Sequence, residues 1–180
     1  WIKYLSKENI QDDTINKSLH NQYLRLLDSL EYHILGNHLL ENGLSLLFGA
    51  YYFKDDVLYS KAKKIIEEEL EEQITSDGAH FELSPMYHQI ILDRVLDCIS
   101  LVKENPWKEN FELLSLMEFK ATEMLSWLTE VTFKDDIIPM VNDSAFGIAP
   151  STSSLVKYGE VLKIHPLKVQ LSDSGYRKFT

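Results

Sequence analysis

The chain has 180 residues, 44% hydrophobic and 26% charged, a globular composition with enough length to bury a substantial core. No apolar run approaches the ~18 residues that a membrane span needs, so no membrane-spanning helix is expected. Lys and Arg number 18 against 28 Asp and Glu, a net charge of −10. That balance argues against nucleic acid and anionic membrane as partners and, taken alone, against an acidic polysaccharide.

Six segments carry helical periodicity. The first runs from about Ile15 to His33, with Leu19, Tyr23, Leu26, Leu27 and Leu30 spaced by three and four. The second, about Leu35 to Phe53, has an apolar face so broad that burial on most sides is expected. Asp55 and Asp56 open a third, about Val57 to Ile74, whose Lys61–Lys64 and Glu67–Glu72 clusters mark an outer, solvated helix. The fourth follows Ser84-Pro85, an N-cap residue and the proline favoured at the first helical position, and runs to about Lys103. The fifth covers about Glu109 to Thr132. The sixth is short, about Ser153 to Leu162, with Ser151 or Ser153 as its cap. After Pro166, alternation at Leu167, Val169 and Leu171 and a turn at 172–175 lead to an expected strand over Tyr176–Thr180. Helices joined by short connections without a heptad repeat predict an all-α protein of antiparallel hairpins. A four-helix bundle, a solenoid and an α/α toroid all satisfy that pattern.

Cys98 is the only cysteine, flanked by Leu96 and Ile99, and reads as a buried thiol. The chain begins at Trp1 with neither an initiator methionine nor a signal segment, and reads as part of a longer protein. The negative charge is uneven. Residues 41–100 carry 5 basic and 12 acidic side chains, whereas Lys157, Lys163, Lys168, Arg177 and Lys178 outnumber Glu160 and Asp173 after Asp143.

Two stretches are rich in polar groups. In Gly36-Asn37-His38-Leu39-Leu40-Glu41-Asn42-Gly43, inside the most apolar segment, Asn37 and Glu41 are four apart, as are His38 and Asn42. Each pair therefore shares a helix face, and such groups form either a satisfied polar network or a pocket wall. In Asp77-Gly78-Ala79-His80-Phe81-Glu82-Leu83-Ser84-Pro85-Met86-Tyr87-His88, a loop runs into a helix. Tyr87 falls at the third helical position, where the helix dipole favours negative charge and attracts anions. His38, His80 and His88 could be metal ligands, but neither HExxH nor paired cysteines support them. No Gly-rich phosphate loop and no GxSxG motif occurs.

At these residues the chain resembles the heparinase II/III-like family of polysaccharide lyases. The matching pieces are Gly36–Asn42, Asp77–Glu82 and Ser84–His88, followed in order by Ile138-Pro139-Met140-Val141-Asn142-Asp143-Ser144 and Asp173-Ser174-Gly175-Tyr176. The resemblance implies an α/α toroid followed by an antiparallel β-sheet domain. Residues 1–165 would be the C-terminal part of the toroid, and residues 166–180 a linker and the first strand of the sheet domain, most of which lies outside the chain. It also implies β-elimination on uronic-acid-containing polysaccharides of glycosaminoglycan or alginate type, with no cofactor and no metal. By similarity Asn37 would bind the uronate carboxylate with His38 alongside, and Tyr87 would transfer protons. Glu41, His80, His88, Asn142 and Asp143 would contact substrate or shape the pocket. Family members commonly use a further histidine; only His165 lies late enough here, and it falls in no matching motif, so the catalytic set is expected to be completed outside these residues. The resemblance implies a periplasmic or secreted bacterial protein. A non-catalytic saccharide-binding or surface-polysaccharide assembly protein of the same fold is the alternative.

Overall fold

The computed structural model describes residues 1–108 and 110–178. The described residues are all-α: α1 (Ile2–Lys7), α2 (Asp13–Asp28), α3 (His38–Phe53), α4 (Asp56–Gln73), α5 (Pro85–Glu104), α6 (Phe111–Val131) and α7 (Thr152–Leu162), with a 3₁₀ turn at Lys134–Asp136. None of these helices is long and apolar enough to cross a membrane.

The tightest unit is the antiparallel hairpin of α3 and α4, separated only by Lys54 and Asp55. Lys54 closes α3 in the left-handed conformation. Asp55 then caps α4, accepting from the N–H groups of Val57 and Leu58 at 2.9 and 3.1 Å. The apolar face of α3 is buried through Leu40, Leu44, Leu46, Leu47 and Ala50. Against it α4 offers a narrower stripe (Leu58, Ala62, Ile65, Ile66 and Leu70), while none of its Lys and Glu side chains is buried. The pair α5 and α6 completes the core through Ile91, Leu92, Val95, Ile99, Met117, Leu125 and Leu128. Trp127 is fully buried, and its ring packs against His88 and Tyr176 with centroids 4.7 and 5.0 Å away. Cys98 is buried between α5 and α3, with its thiol 3.8 Å from the Leu44 carbonyl; burial pushes the thiol far up from its ordinary pKa.

The structure corrects the expected elements in three places. The helix α1, six residues with Ile2 and Leu5 buried, had no periodic signal long enough to read. Helix α2 stops at Asp28, and residues 29–37 form turns rather than helix. Leu35, expected at the start of a buried helix, is 96% exposed, because Gly36 takes φ +100° and α3 starts only at His38. The expected strand at Tyr176–Thr180 is not formed over residues 176–178, and residues 179–180 lie outside the described residues, as does Glu109, the expected start of α6.

The chain after α7 returns to the body of the molecule through one buried carboxylate. Asp77, 2% exposed, accepts from the Ser172 N–H at 2.8 Å, from the Ser174 N–H and hydroxyl, and from the Thr75 hydroxyl at 2.7 Å. The adjoining turn requires glycine: Gly78 has φ +89°, and a Cβ there would lie 2.2 Å from the Glu123 carbonyl oxygen. Burial alone would raise the Asp77 carboxyl pKa, but the hydrogen bonds from Ser174, Ser172 and Thr75 outweigh it and hold the pKa below its ordinary value. A carboxyl depressed on folding stabilises fully above its unfolded pKa, and that stability is lost as pH falls through the folded value. Asp77→Asn is therefore expected to cost about 2 kcal/mol near neutrality, the scale of hydrogen bonds to a charged group. In thermal melts the gap between wild type and variant should close below about pH 4. A gap independent of pH would contradict the ionised role.

Candidate active-site cleft

Two helix starts open onto one cleft. Asn37 is the N-cap residue of α3 and His38 its first helical residue, so this polar pair sits at the helix end rather than within the helix. The Asn37 side chain makes no capping hydrogen bond to α3, which leaves its amide available to the cleft. On the other side Ser84 caps α5, its hydroxyl accepting from the Tyr87 N–H at 3.3 Å. Tyr87 is half-buried at the third position of α5. Together Asn37, His38, Glu82, Ser84, Tyr87, Asn142 and Asp143 line a cavity of about 440 Å³. Both helices bring the partial positive charge of their N-terminal ends to it. The lining holds two carboxylates, Glu82 and Asp143, and no Lys or Arg.

Three connections hold the rim. Leu83, immediately before the cap, is forced to φ +54°, and its carbonyl accepts from Asn142 Nδ2 at 3.0 Å and from the Tyr176 hydroxyl at 2.8 Å. The Ser144 hydroxyl lies 3.1 Å from the Ser84 hydroxyl and accepts from the Met86 N–H at 3.4 Å. Asn142 and Asp143 both adopt left-handed conformations, which these two residue types tolerate better than most. The loop over residues 138–144 and the segment at Tyr176 thus converge on the start of α5.

A third set of contacts brings a carboxylate beside His38. The Asn42 side chain grips Glu31 twice: its Oδ1 accepts from the Glu31 N–H at 3.1 Å, and its Nδ2 donates to Glu31 Oε2 at 2.8 Å. The other oxygen of Glu31 faces His38 Nδ1 at 3.7 Å. A carboxylate at Nδ1 favours a hydrogen on that nitrogen and leaves Nε2 as the acceptor. The shared face of His38 and Asn42 was legible from their spacing, but Glu31 carried no signal, because it arrives only through the non-helical turn after α2.

Of the residues singled out in the sequence, Asn37, His38, Tyr87, Asn142 and Asp143 meet in the cleft. Glu41 lies elsewhere: it lines a separate cavity of about 330 Å³ with Tyr23, Ser45, Arg94 and Asp97, where burial raises its pKa. His80 and His88 are each 1% exposed and face the interior. His88 Nδ1 accepts from the His80 N–H at 3.1 Å, so its Nε2 carries the hydrogen donated to the Met124 carbonyl at 3.0 Å. Burial depresses the pKa of both rings, to about 4 for His80 and about 3 for His88, where His80 adds to the effect. His165 is solvent-exposed and does not line the cleft. Among the described residues no group of three or more His, Cys, Asp or Glu is placed to hold a metal ion. Glu82, which lines the cleft, had been read only as part of a motif.

The fold and site together define an all-α protein of antiparallel helical hairpins with a polar, anion-compatible cleft at two helix N-termini. The family described as heparinase II/III N-terminus matches residues 3–172, and the chain belongs to it. Over 130 residues it is 28% identical to a heparin-sulfate lyase of Pedobacter heparinus, a stretch covering 69% of this chain and 19% of that protein. No solved structure is a significant match.

Glu31→Ala is expected to shift the neutral His38 ring away from the Nδ1–H tautomer, read from its ¹⁵N resonances. The melting temperature should fall by a few degrees, because the buried Asn42 amide loses the carboxylate it donates to. An unchanged tautomer balance would show that the carboxylate does not act on His38.

Proposed function

We propose that this chain carries the substrate cleft of a polysaccharide lyase that cleaves uronic-acid-containing chains by β-elimination. The observation that carries the reading is the meeting of Asn37, His38 and Tyr87 around one cavity. Membership of the heparinase II/III family and the likeness to a heparin-sulfate lyase support it.

The chemistry accounts for each group. The C5 hydrogen of a uronate is very weakly acidic, and its removal pushes negative charge onto the adjacent carboxylate. That charge needs hydrogen-bond donors aimed at it in advance. The Asn37 amide and the start of α3 would meet it. A base takes the C5 proton, the C4–O glycosidic bond breaks, and the departing oxygen receives a proton. One product then carries a C4–C5 double bond. Tyr87 would protonate the departing oxygen. The C5 proton would go to His38 Nε2, the nitrogen that Glu31 leaves free, or to Tyr87 itself if its hydroxyl is first deprotonated. Asn142 and Asp143 would contact the sugar from the opposite rim. The carboxylates of Glu82 and Asp143 suit sugar hydroxyls better than sulfate groups.

In the same reading, residues 1–165 form the C-terminal part of an α/α toroid, and residues 166–180 lead toward an antiparallel sheet domain that completes the catalytic set. The full-length protein carrying Tyr87→Phe should retain affinity for a uronate oligosaccharide yet lose turnover by about 10²–10⁴-fold. The ultraviolet absorbance of the unsaturated product reports this directly. Wild-type turnover by the variant would refute the role of Tyr87. Binding by the wild type with no unsaturated product from any uronate polymer would instead favour a non-catalytic saccharide-binding protein.

A further inference from the structure

At the cleft wall, Glu82 of the lining faces a second hydrogen-bond acceptor buried behind it. Gln73 Nε2 donates to the Gly36 carbonyl at 3.2 Å and to Glu69 Oε2 at 2.6 Å. The oxygen of its amide is therefore what faces His80, and His80 Nε2, 2.9 Å away, must carry a hydrogen. That leaves His80 Nδ1 as a bare lone pair. It is buried, has no hydrogen-bond partner among the described residues, and faces Glu82 Oε2 at 3.9 Å. Glycine at position 36 is what lets the carboxylate lie this close: a Cβ there would stand 2.3 Å from its other oxygen. The His80 side chain has no exposure, whereas Glu82 is open to the cleft.

A buried acceptor without a donor is costly, and a carboxylate opposite it adds electrostatic repulsion. A proton on Nδ1 turns the bare acceptor into a donor and the repulsion into attraction. We propose that His80 and Glu82 form a one-proton site in the cleft wall, which takes a proton from solvent when an anionic sugar enters. The proton binds His80 Nδ1 and faces Glu82 Oε2, no other bond forms or breaks, and the cleft wall gains one positive charge as the guest brings a negative one in.

The neighbouring groups leave this role to the pair. From α4, Glu69 is tied to Gln73, and burial raises its pKa. From α5, His88 is fixed as a neutral ring between the His80 N–H and the Met124 carbonyl of α6. From the start of α3, His38 is engaged by Glu31, and Asp143 lies across the cleft. Burial keeps the His80 ring neutral near pH 7 even with Glu82 beside it, so the protonation needs the further negative charge of a guest. The anion is the uronate of the preceding section, on which the inference rests for its guest but not for the proton site.

The test uses full-length protein in two arms. In the first, a glucuronate oligosaccharide is bound to the Tyr87→Phe protein by calorimetry at pH 7, in buffers of different ionisation heat. The protein with Glu82 intact should take up about one more proton per binding event than the same protein with Glu82→Gln. Equal uptake would overturn the proposal. In the second, the ligand-free protein with ¹⁵N-labelled histidine is acidified while it remains folded. The His80 Nδ1 resonance should move toward its protonated position in wild type. In Glu82→Gln the amide N–H already supplies a hydrogen bond to Nδ1, so the shift should be absent and the melting temperature no lower. A wild-type resonance that stays fixed would overturn the proposal. If the oligosaccharide does not bind, the lyase reading fails, and the second arm still decides whether the proton site exists.

Discussion

The starts of α3 and α5 facing one cleft are the constraint on which the rest of the site depends. Each helix ends with N–H groups that have no intrahelical partner, and each brings a partial positive charge to its N-terminus. Directing two such ends at one space sets two partial positive charges against the two carboxylates of its lining. The net −10 of the chain therefore does not govern what the cleft accepts. Much of that charge lies on the solvent face of α4, and what a guest meets is two helix ends, an imidazole and two carboxylates.

Holding the two ends in register takes a cluster of unusual backbone. Gly36, Leu83, Asn142 and Asp143 all have positive φ, and all lie in or beside the cleft. The strain at Leu83 is tied down by hydrogen bonds from Asn142 and Tyr176, and the Asp77 carboxylate draws Ser172 and Ser174 close beneath. The segment after α7, over 160 residues from the start of the chain, thus buttresses the start of α5. Strained positions of this kind persist only where the surrounding structure over-determines them, and they cluster at functional sites.

Much of the fold was legible because helix periodicity and capping agree locally. Ser84-Pro85 and Asp55 mark helix starts, and both cap as their residue types require. The cleft residues Asn37, His38, Tyr87, Asn142 and Asp143 were legible through the family's motifs. What could not be read was orientation. Leu35 looked like the first apolar residue of a helix, but Gly36 breaks the chain there, and that break turns Asn37 and His38 from helix interior into helix start. His80 and His88 stood in a polar stretch and suggested substrate contact. The bridge between Ile74 and His80 instead turns the first inward, while the packing of α5 on α6 buries the second against Met124. Glu41, one turn from Asn37, opens into a different cavity. Glu31 lies seven residues before His38, and no spacing rule connects two residues across a turn whose shape is set by tertiary contacts.

The central claim is that the two helix starts hold a uronate between Asn37 and Tyr87. The most direct measurement is the structure of the full-length protein carrying Tyr87→Phe with a bound uronate oligosaccharide. The account predicts the sugar carboxylate within hydrogen-bond distance of the Asn37 side chain, with C5 facing residues 38 and 87. An oligosaccharide bound in the cavity beside Glu41 and Arg94, or with its carboxylate turned away from Asn37, would contradict it.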